Sequence, residues 1–225
     1  MLCDLGKVTP KAFAGDTCGV EDNSAVVMHV DLPDDRYAET DILNIFDQGQ
    51  GDEIRFPETG FKTAEAFING EKRNFADYLI RNNIDTHVPL VADYSGFMVN
   101  TSFQSVDAET GIVSFYAPVF RDVSYRHGQP VQDYEKEFIL RVLRKKTEPM
   151  FFSCSCILNF LYYELKGRNS GVESSSIPFG DIAYREILSH LADRCNIFGP
   201  ITSGEIANRL LNQTLAYLVI RDRHC

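Results

Sequence analysis

Three runs rich in apolar, β-branched and aromatic residues, Val88 to Ala92, Gly96 to Phe103 and Ile112 to Val119, follow one another with only short breaks between them. Parallel neighbours would need a crossover of about a dozen residues or more, so the runs read as an antiparallel meander. The clearest break is Asp107-Ala108-Glu109-Thr110-Gly111, whose side chains favour a turn. A chain built around such a meander must cover one face of a sheet, and the flanking segments carry the helices that can do so.

Upstream, Ala66-Phe67-Ile68 predicts a short strand and Asn69-Gly70 a tight turn, because both turn residues tolerate positive φ. Phe75, Tyr78 and Leu79 then recur at helical spacing, with Asn74 as the N-cap and Asn82-Asn83 as the stop. Ala25 to Val30 is β-branched and apolar and predicts a strand that pairs with the main sheet. The rest of residues 1–65 is acidic and rich in turns, which suggests an N-terminal extension preceding a main domain over 66–225.

Downstream, the loop Asp122 to Pro130 leads to a helix marked by Phe138, Ile139, Val142 and Leu143, and Pro149 stops it. Met150-Phe151-Phe152 predicts a strand buried on both faces. Ser155 is positioned to cap a helix whose apolar face is Ile157, Leu158, Phe160, Leu161 and Leu165, and Gly167 supplies its exit. After a small-residue loop from Arg168 to Ser176, Asp181 caps a further helix carrying Tyr184, Ile187, Leu188, Leu191 and Cys195. Ile197 to Ile206 and Thr214 to Ile220 predict two antiparallel strands. The expected class is α+β: a mixed, mostly antiparallel β-sheet flanked by helices, in a single globular domain with an N-terminal extension.

Sixteen Phe and ten Tyr supply the apolar surface needed to offset chain entropy, so the chain is expected to fold rather than stay disordered. A formal charge of −10 argues against nucleic acid and anionic membranes, which attract basic surfaces. The basic run Arg141, Arg144, Lys145 and Lys146 closes a helix that opens with Asp133, Glu135 and Glu137, a pattern that complements the helix dipole. No basic start followed by an apolar stretch marks a signal peptide, and no run is long enough to span a bilayer, so a cytoplasmic location is expected. Six scattered cysteines then read as reduced thiols, and without a second cysteine pair Cys154-Ser155-Cys156 does not make a structural zinc site.

Two turns could carry chemistry. At Ser153, Cys154, Ser155 and Cys156 a strand runs into a helix, whose unpaired N–H groups attract a carboxylate or phosphate and lower the pKa of a nearby thiol. Two buried cysteines beside a capping serine would look the same in sequence. At Ser203, Gly204 and Glu205 a carboxylate follows a glycine and could be aimed at an ammonium, or could belong to an ordinary turn. No histidine is tied by a motif to either cysteine, and no nucleophile elbow, phosphate-cradling loop or zinc helix is present.

Phe67-Ile68-Asn69-Gly70, Phe151-Phe152-Ser153-Cys154, Gly204-Glu205-Ile206 and Asn212-Gln213-Thr214-Leu215, in that order, resemble the C-terminal portion of the FIST (F-box and intracellular signal transduction) family, with a shortened N-terminal portion. The resemblance implies an intracellular, non-enzymatic sensory domain that binds a small ligand such as an amino acid or related metabolite. It implies no resident cofactor, and a signal passed to a signalling protein partner or through self-association. It also implies that the Cys154 turn and the Gly204-Glu205 turn line one pocket, the first holding a carboxylate and the second an amine. Because some family members bind haem, the alternative is a haem-based gas or redox sensor with His29, His87, His127 or His190 as axial ligand. A third possibility is an enzyme using Cys154 or Cys156 as a thiolate.

Overall fold

The computed structural model describes residues 11–13, 20–21, 24–144, 152–167, 199–206 and 210–223. In chain order they form an antiparallel pair, β1 (Ala12–Phe13) and β2 (Val20–Glu21), and then the long strand β3 (Arg36–Leu43). Strands β4 (Ile54–Arg55), β5 (Gly60–Thr63), β6 (Glu65–Ile68) and β7 (Glu71–Asn74) lead into helix α1 (Phe75–Arg81). Next come β8 (Leu90–Asp93), β9 (Met98–Thr101), β10 (Phe103–Val106), β11 (Val113–Val119), β12 (Tyr125–His127) and helix α2 (Tyr134–Arg144). The remaining elements are β13 (Phe152–Cys156), α3 (Ile157–Gly167), β14 (Ile201–Thr202), β15 (Glu205–Ile206), β16 (Leu210–Leu211) and β17 (Leu215–Asp222). The architecture is α+β and mostly antiparallel; β13 and β14 form the parallel pair among the described residues.

Local chemistry explains the hairpins. Asn69 and Gly70 adopt φ of 51° and 86°, the left-handed pair that a two-residue turn between twisted strands requires. Asn74 caps α1, its side-chain oxygen accepting from the Asp77 N–H at 2.9 Å. Between β10 and β11 the Asp107 carboxylate accepts from the backbone of Glu109 and Thr110 and from the Thr110 hydroxyl, and these bonds hold its pKa below the ordinary value. The run predicted as one strand over Gly96 to Phe103 is two. At Ser102 the N–H donates to the Asn212 side chain rather than to a neighbouring strand, and the chain passes there from one sheet to another.

That switch sets the layout. One sheet has the order β7-β6-β4-β12-β8-β9, a second β10-β11-β5, and a third β14-β13-β17-β3. Between the first two lies an aromatic core, with Phe56 edge-on to Phe75, Phe115 and Tyr125 at centroid distances of 5.4, 5.7 and 5.5 Å. A second core joins Leu43, Leu215 and Val219 of the third sheet to Phe138 of α2 and Phe160 and Tyr162 of α3. Strands β3, β4 and β5 come from the first 65 residues, yet each is built into one of these sheets.

Other expectations need correction. Ala25 to Val30 forms no strand and is exposed throughout. Of the strand expected over Met150 to Phe152, Met150 and Phe151 lie outside the described residues, and Phe152, which opens β13, is 41% exposed rather than buried. The C-terminal segments are not one antiparallel pair, since β14 runs parallel to β13, β15 pairs with β16, and β17 lies between β13 and β3. Pro149, the loop over 168–176 and the helix expected over 181–195 lie outside the described residues. Among the described residues no helix is long and apolar enough to cross a membrane.

Phe56 is 1% exposed at the centre of the aromatic core. Phe56→Ala should destabilise the fold by about 3 to 5 kcal/mol through lost burial and a residual cavity, read as a lower denaturant midpoint at unchanged slope.

Candidate functional site

The two predicted turns meet. Strand β13 carries Cys156 to the start of α3, and β17 begins beside it, with the Cys156 N–H donating to the Thr214 carbonyl at 3.0 Å. On the other side β14 and β15 bring in Thr202 and Glu205. The Thr202 hydroxyl donates to one Glu205 oxygen at 2.6 Å and the Thr214 hydroxyl to the other at 3.1 Å. Glu205 is 3% exposed, and the Cys156 thiol adds a further hydrogen bond to it. Burial pushes its carboxyl up to about 7, against the opposing pull of the Thr202, Thr214 and Cys156 hydrogen bonds.

The same environment sets the thiols. Burial first, and the neighbouring Glu205 second, push Cys156 up to about 12, although the Leu158 and Gln213 N–H groups donate to its sulfur. Burial and then Glu205 also raise the pKa of Cys154. Both shifts run against thiolate formation, opposite to the lowering that a helix start would give a nearby thiol. Ser155 is not the helix cap. It lies in β13, 4% exposed, with its N–H donating to Pro200 and its carbonyl accepting from Thr202, while the Cys156 sulfur takes the capping position on the Leu158 N–H. Because the strand runs directly into the helix, the position usually held by a capping serine falls one residue later.

Below this cluster lies a buried polar turn, Asn212-Gln213-Thr214, with Gln213 at φ 51°. Ser102 donates from its N–H to the Asn212 oxygen at 3.0 Å and from its hydroxyl to the Gln213 side-chain oxygen at 2.6 Å. Gln213 Nε2 donates to the His87 carbonyl at 3.1 Å, and Asn159 Nδ2 to the Thr214 carbonyl at 3.0 Å. Asn212 Nδ2, though buried, meets no acceptor among the described residues.

Three cavities surround the cluster. One of about 310 Å³ is lined by Ser203, Gly204, Asn212, Tyr116, Gln104 and Lys62. A second, of about 270 Å³, shares Tyr116 and Gln104 with it and extends to His87, Ser102 and Leu161. A third, of about 320 Å³, is bounded by Cys154, Phe152, Thr40 and Ile206. The predicted residues thus separate. Ser203 and Gly204 line the first cavity, and Cys154 the third; Ser153, Ser155, Cys156 and Glu205 are buried. Gly204, at φ 129°, has a conformation that a side chain would strain.

Sequence inspection missed Lys62, Gln104 and Tyr116, because each sits in a strand whose alternation reads as an ordinary solvated face. Asn212 carried the one available signal, a polar residue entering an apolar run. The histidines do not converge. His29 is exposed beside Asp31, and His87 is exposed with Nδ1 2.9 Å from Asp85. His127 is half-buried against the Asp85 carbonyl, and burial pulls its pKa down. His190 lies outside the described residues.

A family model described as a family of unknown function (DUF6976) matches residues 1–190, and the chain belongs to that family. The match includes Ser153 to Cys156 and ends before Ser203 to Glu205. No curated protein and no solved structure matches the chain.

Glu205 also makes stability depend on pH. Its folded pKa is raised from 4.5 to about 7, so its contribution is full below 4.5, declines as pH rises towards 7 and is gone above. At about 1.4 kcal/mol per pKa unit the change amounts to about 3 kcal/mol. Unfolding free energies across this range should show wild type losing that amount relative to Glu205→Gln, whereas a constant difference would contradict the assignment.

Proposed function

We propose that this chain is a non-enzymatic sensory domain whose ligand, a small carboxylate such as an amino acid or related metabolite, occupies the cavity of about 310 Å³. One observation carries the proposal: in that cavity the predicted Ser203 and Gly204 meet Asn212, a buried side chain with an amide N–H that has no acceptor among the described residues. A buried donor left unmatched costs stability, and a ligand oxygen that displaced the wall over Asn212 Nδ2 would relieve that cost. The exposed Lys62 supplies a cation for the carboxylate, Tyr116 and Gln104 add polar groups, and Leu210, 36% exposed, offers apolar contact to the rest of the molecule.

Glu205 takes a different part from the one first expected. Its oxygens are engaged by Thr202 and Thr214, so it holds the Ser203-Gly204 turn in place and leaves recognition to the cavity wall. The resemblance of the four motifs to FIST sensory domains supports the same class of function. Free thiols at Cys154 and Cys156 suit a reducing, cytoplasmic setting.

A thermal-shift screen of amino acids and other small carboxylates tests the proposal. A ligand at about a hundred times its Kd should stabilise the native state by about 2.7 kcal/mol. Lys62 is an exposed strand residue, so Lys62→Glu should leave the unliganded melting temperature nearly unchanged and abolish the ligand-induced rise. If no carboxylate raises the melting temperature, or if the rise survives Lys62→Glu undiminished, the cavity assignment fails.

A further inference from the structure

The segment Ala25 to Val30 has the composition of a strand and the surroundings of none. Val26, Val27, Met28 and Val30 are 55%, 86%, 83% and 57% exposed, in an arm without secondary structure that precedes β3 in the chain. Such a run is a ready template for pairing. The nearest edge is open as well. Strand β3 ends its sheet, pairing with β17 along its whole length, and among the described residues no strand lies on its other side. Its residues from Arg36 to Thr40 are exposed. Edge strands are commonly protected by unpaired charges, but here Arg36 is paired with Asp222 and Glu39 with Arg221 across β17.

The turn between arm and edge explains why the two do not pair within one chain. The Arg36 N–H donates to the Pro33 carbonyl at 2.9 Å, so Pro33 to Arg36 is a four-residue turn with Asp34 and Asp35 at its centre. Neither central residue has positive φ, so the turn lacks the primed geometry that matches the twist of a two-residue hairpin and does not favour folding the arm back along β3. Pro33 also has no N–H with which to complete the closing pair. A strand-forming arm thus stays unpaired with the edge that follows it in the chain.

We propose that Ala25 to Val30 adds as a fifth strand to the outer edge of β3 in a second copy of this chain, and that the arms are exchanged reciprocally about a two-fold axis. Every copy carries both halves of this contact, so the exchange closes as a dimer and leaves neither arm nor edge unpaired. Alternate arm side chains also gain an apolar landing surface. Thr40, Leu218 and Phe152 are neighbours in register across the third sheet, and with Ile206, which is 82% exposed, they bound the cavity of about 320 Å³. The proposal is independent of the ligand reading.

Light scattering on the full chain across a concentration series, coupled to size-exclusion chromatography, reads the outcome. Wild type is expected to run as a dimer that dissociates on dilution. The double variant Val27→Asp, Met28→Asp alters only exposed side chains, so its circular dichroism should match wild type while the dimer Kd rises at least about tenfold. A hinge variant, Pro33→Thr with Asp34→Asn and Asp35→Gly, supplies a primed turn and should return the arm to its own edge, giving a folded monomer. A wild-type monomer at every concentration would overturn the proposal. So would an unchanged Kd in the arm variant, or a hinge variant as dimeric as wild type.

Discussion

The buried Asn212-Gln213-Thr214 turn is the constraint on which the rest of the molecule depends. It sits at the start of β17, and its partners come from every part of the fold: Ser102 at the sheet switch, Asn100 in β9, the His87 carbonyl before β8, Asn159 in α3, and Glu205 in β15. Each net hydrogen bond contributes only about 0.5 to 1.5 kcal/mol, but removing one partner leaves a buried group unsatisfied at about 1 to 3 kcal/mol. The turn therefore specifies arrangement more than it adds stability. A chain with apolar residues at 212–214 could bury them as well, yet it would lose the hydrogen bonds that tie the sheet switch at Ser102 to the start of β17.

The cavities follow from that arrangement. The turn is satisfied on nearly all sides, with Asn212 Nδ2 buried and without an acceptor among the described residues, and Asn212 lines a space framed by β11 and the β14–β15 connection. Tyr116 and Gln104 stand between two of the cavities because β10 and β11 leave the aromatic core on one face and meet α3 and the polar turn on the other. The site is thus a by-product of sheet switching at Ser102, in keeping with the general placement of ligand sites where packed layers meet imperfectly.

The parts legible in the sequence were those decided within a few residues. Asn69-Gly70 and the Asn74 cap depend on local φ and one side chain, and both are formed as expected. The presence of α3 needed only its own period, although of its expected apolar face Phe160 is buried while Leu161 is 49% exposed. The illegible parts depend on distant partners. Nothing near Ser102 announces that its N–H belongs to Asn212, 110 positions later, so one apolar run could not be seen as two strands. Ser155 looked like a cap because serine prefers that position, but pairing with β14 and β17 kept it in the strand and passed the role to Cys156. Ala25 to Val30 has strand propensity in full, yet it forms no strand, and the turn over Pro33 to Arg36 that follows it lacks the positive φ of a hairpin turn. At the site, the Cys156 and Glu205 turns meet, but Cys154 and the pair Ser203 and Gly204 line different cavities rather than the one pocket that the family resemblance implies, and Lys62, Gln104 and Tyr116 have no local signature.

Glu205 shows how a polar cluster can be structural and still retain chemistry. Glutamine would keep a hydrogen-bonding group facing Thr202 and Thr214 without the cost of burying an ionisable acid. The carboxyl instead has no cation among the influences that set its pKa, only burial opposed by two hydroxyls and a thiol. Near neutrality it is close to evenly divided between a protonated form, which suits the dry surroundings, and an ionised form, which the hydroxyls only partly compensate. The residue before it is Gly204, at a φ of 129°, and the one before that is Ser203; both face the cavity. Glu205 thus holds its ionisable group, paired with Thr202 and Thr214, next in the chain to the segment that lines the cavity.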